Sequence, residues 1–159
     1  SRAGFEVHAI SGKADQHDYL RAIGARDVHG REALATTRPL ESARFGGGLD
    51  NVGGPMLASL LAQTAPYGNV ATAGLAATPE LQATVMPFII RGVSLLGVAS
   101  AGTARDIRDA VWARLASDWK PATLDRIDQG DLDLAGLPAV FQRMLAGGSL
   151  GRRVVRLDA

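Results

Sequence analysis

The sequence predicts an α/β domain built on a parallel, doubly wound sheet, and three observations carry that prediction. Short β-rich runs alternate with amphipathic helical stretches along most of the chain, the order expected where single helices cross between parallel strands. The run "VSLLGVAS" at 93–100 is continuously apolar, as a strand buried on both faces would be. Pro55 opens a helical pattern in which Met56, Leu57, Leu60 and Leu61 keep the spacing of one packed face.

The elements follow in order. Phe5–Ile10 reads as a buried strand that runs into the turn Ser11-Gly12-Lys13. Asp15 is placed to cap a helix over "QHDYLRAI", with Tyr19, Leu20 and Ile23 on its apolar face and Gly24 as its stop. "RDVH" at 26–29 is a second short strand, and "GREALATTRPLESAR" is a polar stretch with room for one helical turn. A strand centred on Gly48–Val52 has small residues that let a helix approach closely, and "NVATAGLA" is the strand after the Pro55 helix. Ile107, Val111, Trp112, Leu115 and Trp119 mark a long amphipathic helix, with the two tryptophans read as packing residues. Leu137, Val140, Phe141, Met144 and Leu145 mark another, and "GRRVVRL" is the last strand.

Composition narrows the function. A chain of 159 residues suits one domain, 1–159, and a globular chain of this size buries roughly 70% of its unfolded surface. Hydrophobic residues at 47% and charged residues at 21% belong to a globular protein rather than a disordered one. The formal charge of +1 gives no broad footprint for nucleic acid or for an anionic membrane. Cysteine is absent, which removes disulfides, thiolate nucleophiles and sulfur-bound zinc, and His8, His17 and His29 read as too scattered for a metal site. The longest apolar run, "VMPFII", is too short to span a membrane, and no leader pattern opens the chain, so a cytoplasmic enzyme or binding domain is expected.

The turn after the first strand points to a ligand. In a dinucleotide-binding fold the tip of the second strand meets the adenosine ribose, where a carboxylate accepts from a free 2′-hydroxyl and a cation favours a 2′-phosphate. Here Ser11 offers a hydroxyl, Gly12 lets the backbone come close, Lys13 brings a charge, and no carboxylate precedes Asp15. Arg31 follows the next strand and belongs on the same rim, so two cations would flank one phosphate, that of NADP(H). A Ser-Gly-Lys turn is also an ordinary way to end a strand; the element order is what favours the cofactor. A G-x-G-x-x-G turn after a strand is missing, since "GGGLDNVGG" follows none and carries Asp50. The first β-α unit is therefore expected upstream of Ser1, with "SRAG" as the tail of its helix.

Several segments together make the chain resemble a known family: "SGKADQHDYLRAIGARDV" with Arg31-Glu32, "RPLE" at 38–41, "LDNVGG" at 49–54, "AGLA" at 73–76, "TVMPFIIRGVSLLGVAS" at 84–100 and "GRRVV" at 151–155. They resemble the C-terminal, Rossmann-like cofactor domain of the zinc-free medium-chain dehydrogenase/reductase superfamily, in its acrylyl-CoA reductase and quinone oxidoreductase branch. The resemblance implies hydride transfer from NADPH to an acrylyl-CoA-type enoyl thioester, with a quinone as the alternative substrate. It also implies that Ser11, Gly12, Lys13 and Arg31 hold the 2′-phosphate, that Leu75, Ile89 and Ser100 touch the nicotinamide half, and that Arg152 is a C-terminal cofactor contact. Lys13 stands where arginine is usual, and Ala99 where an acidic residue is common. No metal is expected, and catalytic residues are not identified. The 93–100 strand is expected to pair with its symmetry mate in a homodimer.

Two expectations complete the reading. Without the first β-α unit and the substrate-covering domain, this polypeptide alone should be inactive, because hydride transfer needs both walls of a cleft. The gap in the sheet should also leave the isolated chain weakly stable, since each unpaired buried backbone group costs about 1–3 kcal/mol. The competing readings are a non-catalytic nucleotide-binding module and a methyltransferase-like domain; the latter wants an acidic residue where Ser11-Gly12-Lys13 stands.

Overall fold

The computed structural model describes residues 1–157. The chain forms two compact units, one made of Ile10–Ala14 and His29–Asp109, the other of Ser1–Ala9, Asp15–Val28 and the residues from Ala110 onward. Three sheets are present among the described residues: β1 (His8–Ile10) with β2 (Asp27–His29), β3 (Phe45–Asp50) with β4 (Thr64–Thr72) and β5 (Ser94–Gly97), and β6 (Asp128–Leu132) with β7 (Arg152–Val155). The β3-β4-β5 and β6-β7 pairings are parallel. The neighbours β2-β1 and β3-β4-β5 are those a doubly wound sheet has on either side of its first strand. No described strand hydrogen-bonds to both β1 and β3.

The larger unit holds most of the core. Its helix α2 (Gly54–Gln63) places Leu57 and Leu61 against Val70 of β4 and Val93, with Leu60, Phe88 and Leu95 packed around them. Gly48 is what allows α2 to come so near, since a Cβ there would lie 2.6 Å from Leu60 Cδ2. The helix runs straight into β4 at Thr64, and β4 then bulges, with residues 65–68 set against Gly46 before Asn69 and Gly47 resume the register. Tyr67 in that bulge has φ 61°, a left-handed backbone that is costly for a non-glycine residue.

A polar belt ties residues 33–44 to α2. Ser59 Oγ donates to the Thr36 carbonyl and accepts from its N–H, both at 3.2 Å, and Gln63 Nε2 donates to the Leu34 carbonyl at 2.6 Å. Arg44 donates to the Ala33 carbonyl and to Gln63 Oε1. Arg91, the last residue of α3 (Met86–Arg91), donates to the carbonyls of Ala62 and Thr64 at 3.0 Å each, and also to that of Glu41. The N–H of Ser42, donating at 2.9 Å, and then the Arg38 guanidinium hold the Glu41 carboxyl below its ordinary range.

Several expectations need correction. The first strand covers only His8–Ile10 rather than 5–10, with Phe5 exposed, because β2 offers it a partner for three residues only. Asp15 does not cap the next helix: it lies in a 3-10 turn, Ala14–Gln16, accepts from Gln16 Nε2, and α1 (His17–Ala22) begins after it. The strand expected at 48–52 is displaced to Phe45–Asp50, and α3 and β6 were not anticipated. β5 is not buried on both faces: Ser94 and Leu95 are half-buried and Leu96 is exposed, as is Val98 just beyond it, and the strand lies at the edge of its sheet. The tryptophans do not pack in a core: Trp112 on α4 (Arg105–Ala116) is 64% exposed, and Trp119 lies beyond that helix, stacked on the Arg114 guanidinium at 3.7 Å. Neither α4, α5 (Leu124–Ile127) nor α6 (Leu137–Leu145) has a buried residue.

Two stability measurements test this account. Leu61→Ala removes a fully buried side chain and should cost about 2–5 kcal/mol in urea unfolding. Arg91→Met should cost about 2–3 kcal/mol by stranding carbonyls at the end of α2, with Arg91→Lys recovering only part of it. Because the folded Glu41 carboxyl titrates below its unfolded value, its contribution is present at neutral pH and is lost as pH falls through the acid range; Glu41→Gln should flatten that part of a stability-against-pH curve.

Candidate functional site

A parallel sheet presents its loops for binding at the carboxyl ends of its strands. In the larger unit that rim is shaped by Asp50, the last residue of β3. Its buried carboxylate accepts from the N–H groups of Val52 at 3.2 Å and Gly53 at 3.0 Å, and from Thr72 Oγ1 at 3.2 Å. The loop it closes lies against the loop after β4: Ala73, Ala76 and Ala77 donate to the carbonyls of Asp50, Asn51 and Val52. Gly53 has φ 77° and sits against the Thr78 carbonyl, so no side chain fits there. Asp50 therefore builds the rim, the structural role that the sequence left open beside a cofactor contact.

The anion turn is assembled as two adjacent strand ends would assemble it. The Ser11 N–H donates to the His29 carbonyl at 2.9 Å, tying the turn after β1 to the end of β2. The Ser11 hydroxyl accepts from the Lys13 N–H at 3.1 Å, closing a side-chain turn. Arg31 stands in the 3-10 turn Arg31–Ala33 just past β2, and its guanidinium lies over Gly12, with Nε 3.1 Å and Cζ 3.3 Å from where a Cβ would be. Lys13 and Arg31 are both exposed. Glu32 turns away from this pair and folds its carboxylate over Gly30. The Arg31 guanidinium thus stands beside the Ser11-Gly12-Lys13 turn.

The remaining residues are less concentrated. Leu75 is exposed in the loop after β4, its Cα 3.7 Å from the Cβ position of Gly53. Ile89 is exposed on α3, and Ser100 lies in the turn after β5, its carbonyl accepting from Arg108 Nη2 at 2.7 Å. These three stand on separate elements of the rim side. Arg152 belongs to the other unit, at the start of β7, where it donates to the Gly151 carbonyl at 3.1 Å. His8 is half-buried with Glu6 Oε1 at 3.4 Å and Asp27 Oδ2 at 3.7 Å, so at least this histidine is less isolated than its sequence position implies.

Sequence reasoning missed a cleft of about 510 Å³ beside the rim, lined among others by Thr36, Gly54, Pro55, Thr78, Glu80 and Pro87. Its walls hold no lysine or arginine. Pro39, Pro55 in the first turn of α2 and Pro87 in α3 were its sequence signals. Among the described residues no helix is long and apolar enough to cross a membrane.

Parallel strands in this order, with the loops at their carboxyl ends forming the rim, define a Rossmann-like dinucleotide-binding fold. No family model matches the chain. It is 39% identical over 158 residues to the acrylyl-CoA reductase AcuI of Ruegeria pomeroyi, covering 98% of this chain and 48% of that protein. It is 40% identical over 159 residues to YhfP of Bacillus subtilis, which carries the name of a quinone oxidoreductase, covering 99% and 48%. The crystal structure of YhfP with NAD bound superposes with a TM-score of 0.93, covering 98% of this chain and 48% of that one. That of Escherichia coli K-12 YhdH with bound NADPH superposes with a TM-score of 0.92 at 36% identity, covering 99% and 48%. The chain is thus similar to the acrylyl-CoA reductases and quinone oxidoreductases of the medium-chain dehydrogenase/reductase type. It spans about half the length of the curated relatives it matches.

The rim carries its own prediction. Asp50→Ala leaves the Val52 and Gly53 N–H groups without their acceptor and should cost about 1–3 kcal/mol in chemical unfolding, with Asp50→Asn intermediate.

Proposed function

We propose that the chain is the NADP(H)-binding part of a zinc-free reductase that moves a hydride to an activated carbon–carbon double bond, that of an acrylyl-CoA-type enoyl thioester. The observation that carries the cofactor reading is the placement of the Arg31 guanidinium over Gly12, beside Ser11 and Lys13. The Ser11 hydroxyl and the two cations would hold the adenosine 2′-phosphate. Leu75, Ile89 and Ser100 would line the nicotinamide half, and Arg152 would be a further cofactor contact. The NADPH bound to the Escherichia coli relative supports the choice of cofactor.

NADPH supplies a hydride from its nicotinamide ring; the thioester's β-carbon takes it, a proton goes to the α-carbon, and a saturated thioester and NADP⁺ result. This chain's share is to bind and orient the cofactor. The cleft beside the rim, without cations, suits an uncharged portion of a substrate rather than its phosphates. A quinone is the second substrate reading, favoured by the name of the Bacillus subtilis relative. A nucleotide-binding module without catalysis is the third.

The reading extends to assembly. Residues 1–159 act as part of a cofactor domain, with the glycine-rich loop and the substrate-covering domain supplied by further polypeptide, and alone are inactive. The exposed edge of β5 pairs with its symmetry mate in a homodimer, and the protein works in the cytoplasm on a small-molecule substrate, without nucleic acid or membrane.

Calorimetric titration tests the cofactor reading. NADPH should bind more tightly than NADH, and Lys13→Ala and Arg31→Ala should each weaken NADPH by about tenfold while leaving NADH unchanged. Equal affinity for the two cofactors would remove the reading. A full-length version should consume NADPH with acryloyl-CoA faster than with a quinone; the reverse order would make the quinone the substrate, and failure with both despite NADPH binding would leave a binding module.

A further inference from the structure

The glycine at position 12 is not explained by its backbone. The glycines in the left-handed region are Gly4, Gly24, Gly53, Gly54, Gly92, Gly130, Gly147 and Gly151, and Gly12 is not among them, so a side chain there would meet no conformational strain. What a side chain would meet is Arg31. The Cβ position of Gly12 lies 3.1 Å from Arg31 Nε, 3.3 Å from Cζ and 3.6 Å from Cδ, and no other residue's atom is as near. The first two of these distances are shorter than the roughly 3.5–4.0 Å of relaxed carbon contacts. The Arg31 carbonyl accepts from the Leu34 N–H, but among the described residues its side chain makes no hydrogen bond or ion pair, so the guanidinium's position rests on this packing and on the tether between Ser11 and His29 two residues before it.

From this we infer that Gly12 is a specificity-determining positioning residue: the space left by its missing side chain is the seat of the Arg31 guanidinium, and it sets where that cation stands. The inference rests on the proposed NADP(H) reading and sharpens it. Gly12 would act on the phosphorylated cofactor alone, through Arg31, because the part of the site that NADH shares is not what a side chain at 12 displaces. The effect is graded by size. A methyl group requires the flexible arginine to yield by a few tenths of an ångström, whereas a branched side chain occupies the seat.

A mutant cycle decides it, with Gly12→Ala, Gly12→Val, Arg31→Ala and the Gly12→Val/Arg31→Ala pair titrated with NADPH and with NADH. Gly12→Val should weaken NADPH about tenfold and Gly12→Ala less than about threefold, both leaving NADH affinity at the unsubstituted value. In the Arg31→Ala background, Gly12→Val should have no further effect on NADPH. A loss of NADPH affinity that persists without Arg31, or a parallel loss for NADH with the far-ultraviolet circular dichroism unchanged, would overturn the inference and make Gly12 a point of close cofactor approach. Should Gly12→Val unfold, the same cycle run with Gly12→Ala reads the coupling. An unsubstituted protein that binds both cofactors equally would instead remove the underlying reading.

Discussion

The larger unit depends on how the end of α2 is closed. That helix passes into β4 without a loop, so its last carbonyls take donors from Thr64 and from outside the helix: Ala62 accepts from the Glu41 N–H and Gln63 from the Arg44 N–H, both at 2.9 Å. Arg91 reaches from α3 and supplies donors to Ala62 and Thr64, with Glu41 as a third acceptor. A guanidinium can do this because its donors are splayed in a plane; an ammonium would serve one acceptor well and the others poorly. The same contact pins residues 33–44 across the helix, and through the helix it sets where β4 begins. The bulge at 65–68, the register of Asp50 with Thr72 and the position of the rim loops all follow from that starting point.

Stability is consequently uneven along the chain. Leu57, Leu61, Val70 and Val93 are packed in one cluster inside the larger unit, while α1, α4, α5 and α6 contain no buried residue. Elements that bury little open with little free energy. The proposed phosphate site would benefit from this division, because Ser11, Gly12, Lys13 and Arg31 all belong to the unit with the core. A site that must distinguish one phosphate needs its cations held within a fraction of an ångström, and a rigid support provides that.

Legibility in the sequence tracks the range of the cause. The α2 helix was readable because its apolar spacing and Pro55 are local, and the turn at Ser11 was readable because three consecutive residues carry it. β1 was overextended because strand length is decided by the partner, and β2 pairs over three residues only. β6 was invisible for a similar reason: "DQGDL" has no β-rich composition and is a strand because β7 lies beside it. The tryptophans misled because helical spacing identifies a face but not what covers it, and Trp112 is 64% exposed. The role of Arg91 was not legible because its three acceptors are backbone atoms distant in sequence, which no side-chain motif can announce. The contact between Gly12 and Arg31 was anticipated as a shared rim, although the glycine's part in seating the arginine required coordinates.

The exposure of the two cations bears on how sharply such a site can select. When a protein reads a ligand group with buried partners, the analogue lacking that group strands those partners without water, and rejection can reach factors of about 10⁴–10⁵. Lys13 and Arg31 are exposed, so in the presence of an unphosphorylated dinucleotide they stay hydrated and nothing is stranded. Selection at this turn would then come almost wholly from attraction to the added phosphate and scarcely from rejection of its absence. Attraction between solvated charges is screened by salt over about 8 Å at physiological ionic strength, which places the preference nearer tens than thousands. The geometry of Arg31 matters for the same reason: with no desolvation penalty to enforce discrimination, the fit of one guanidinium to one phosphate is the main source of selectivity left to the fold.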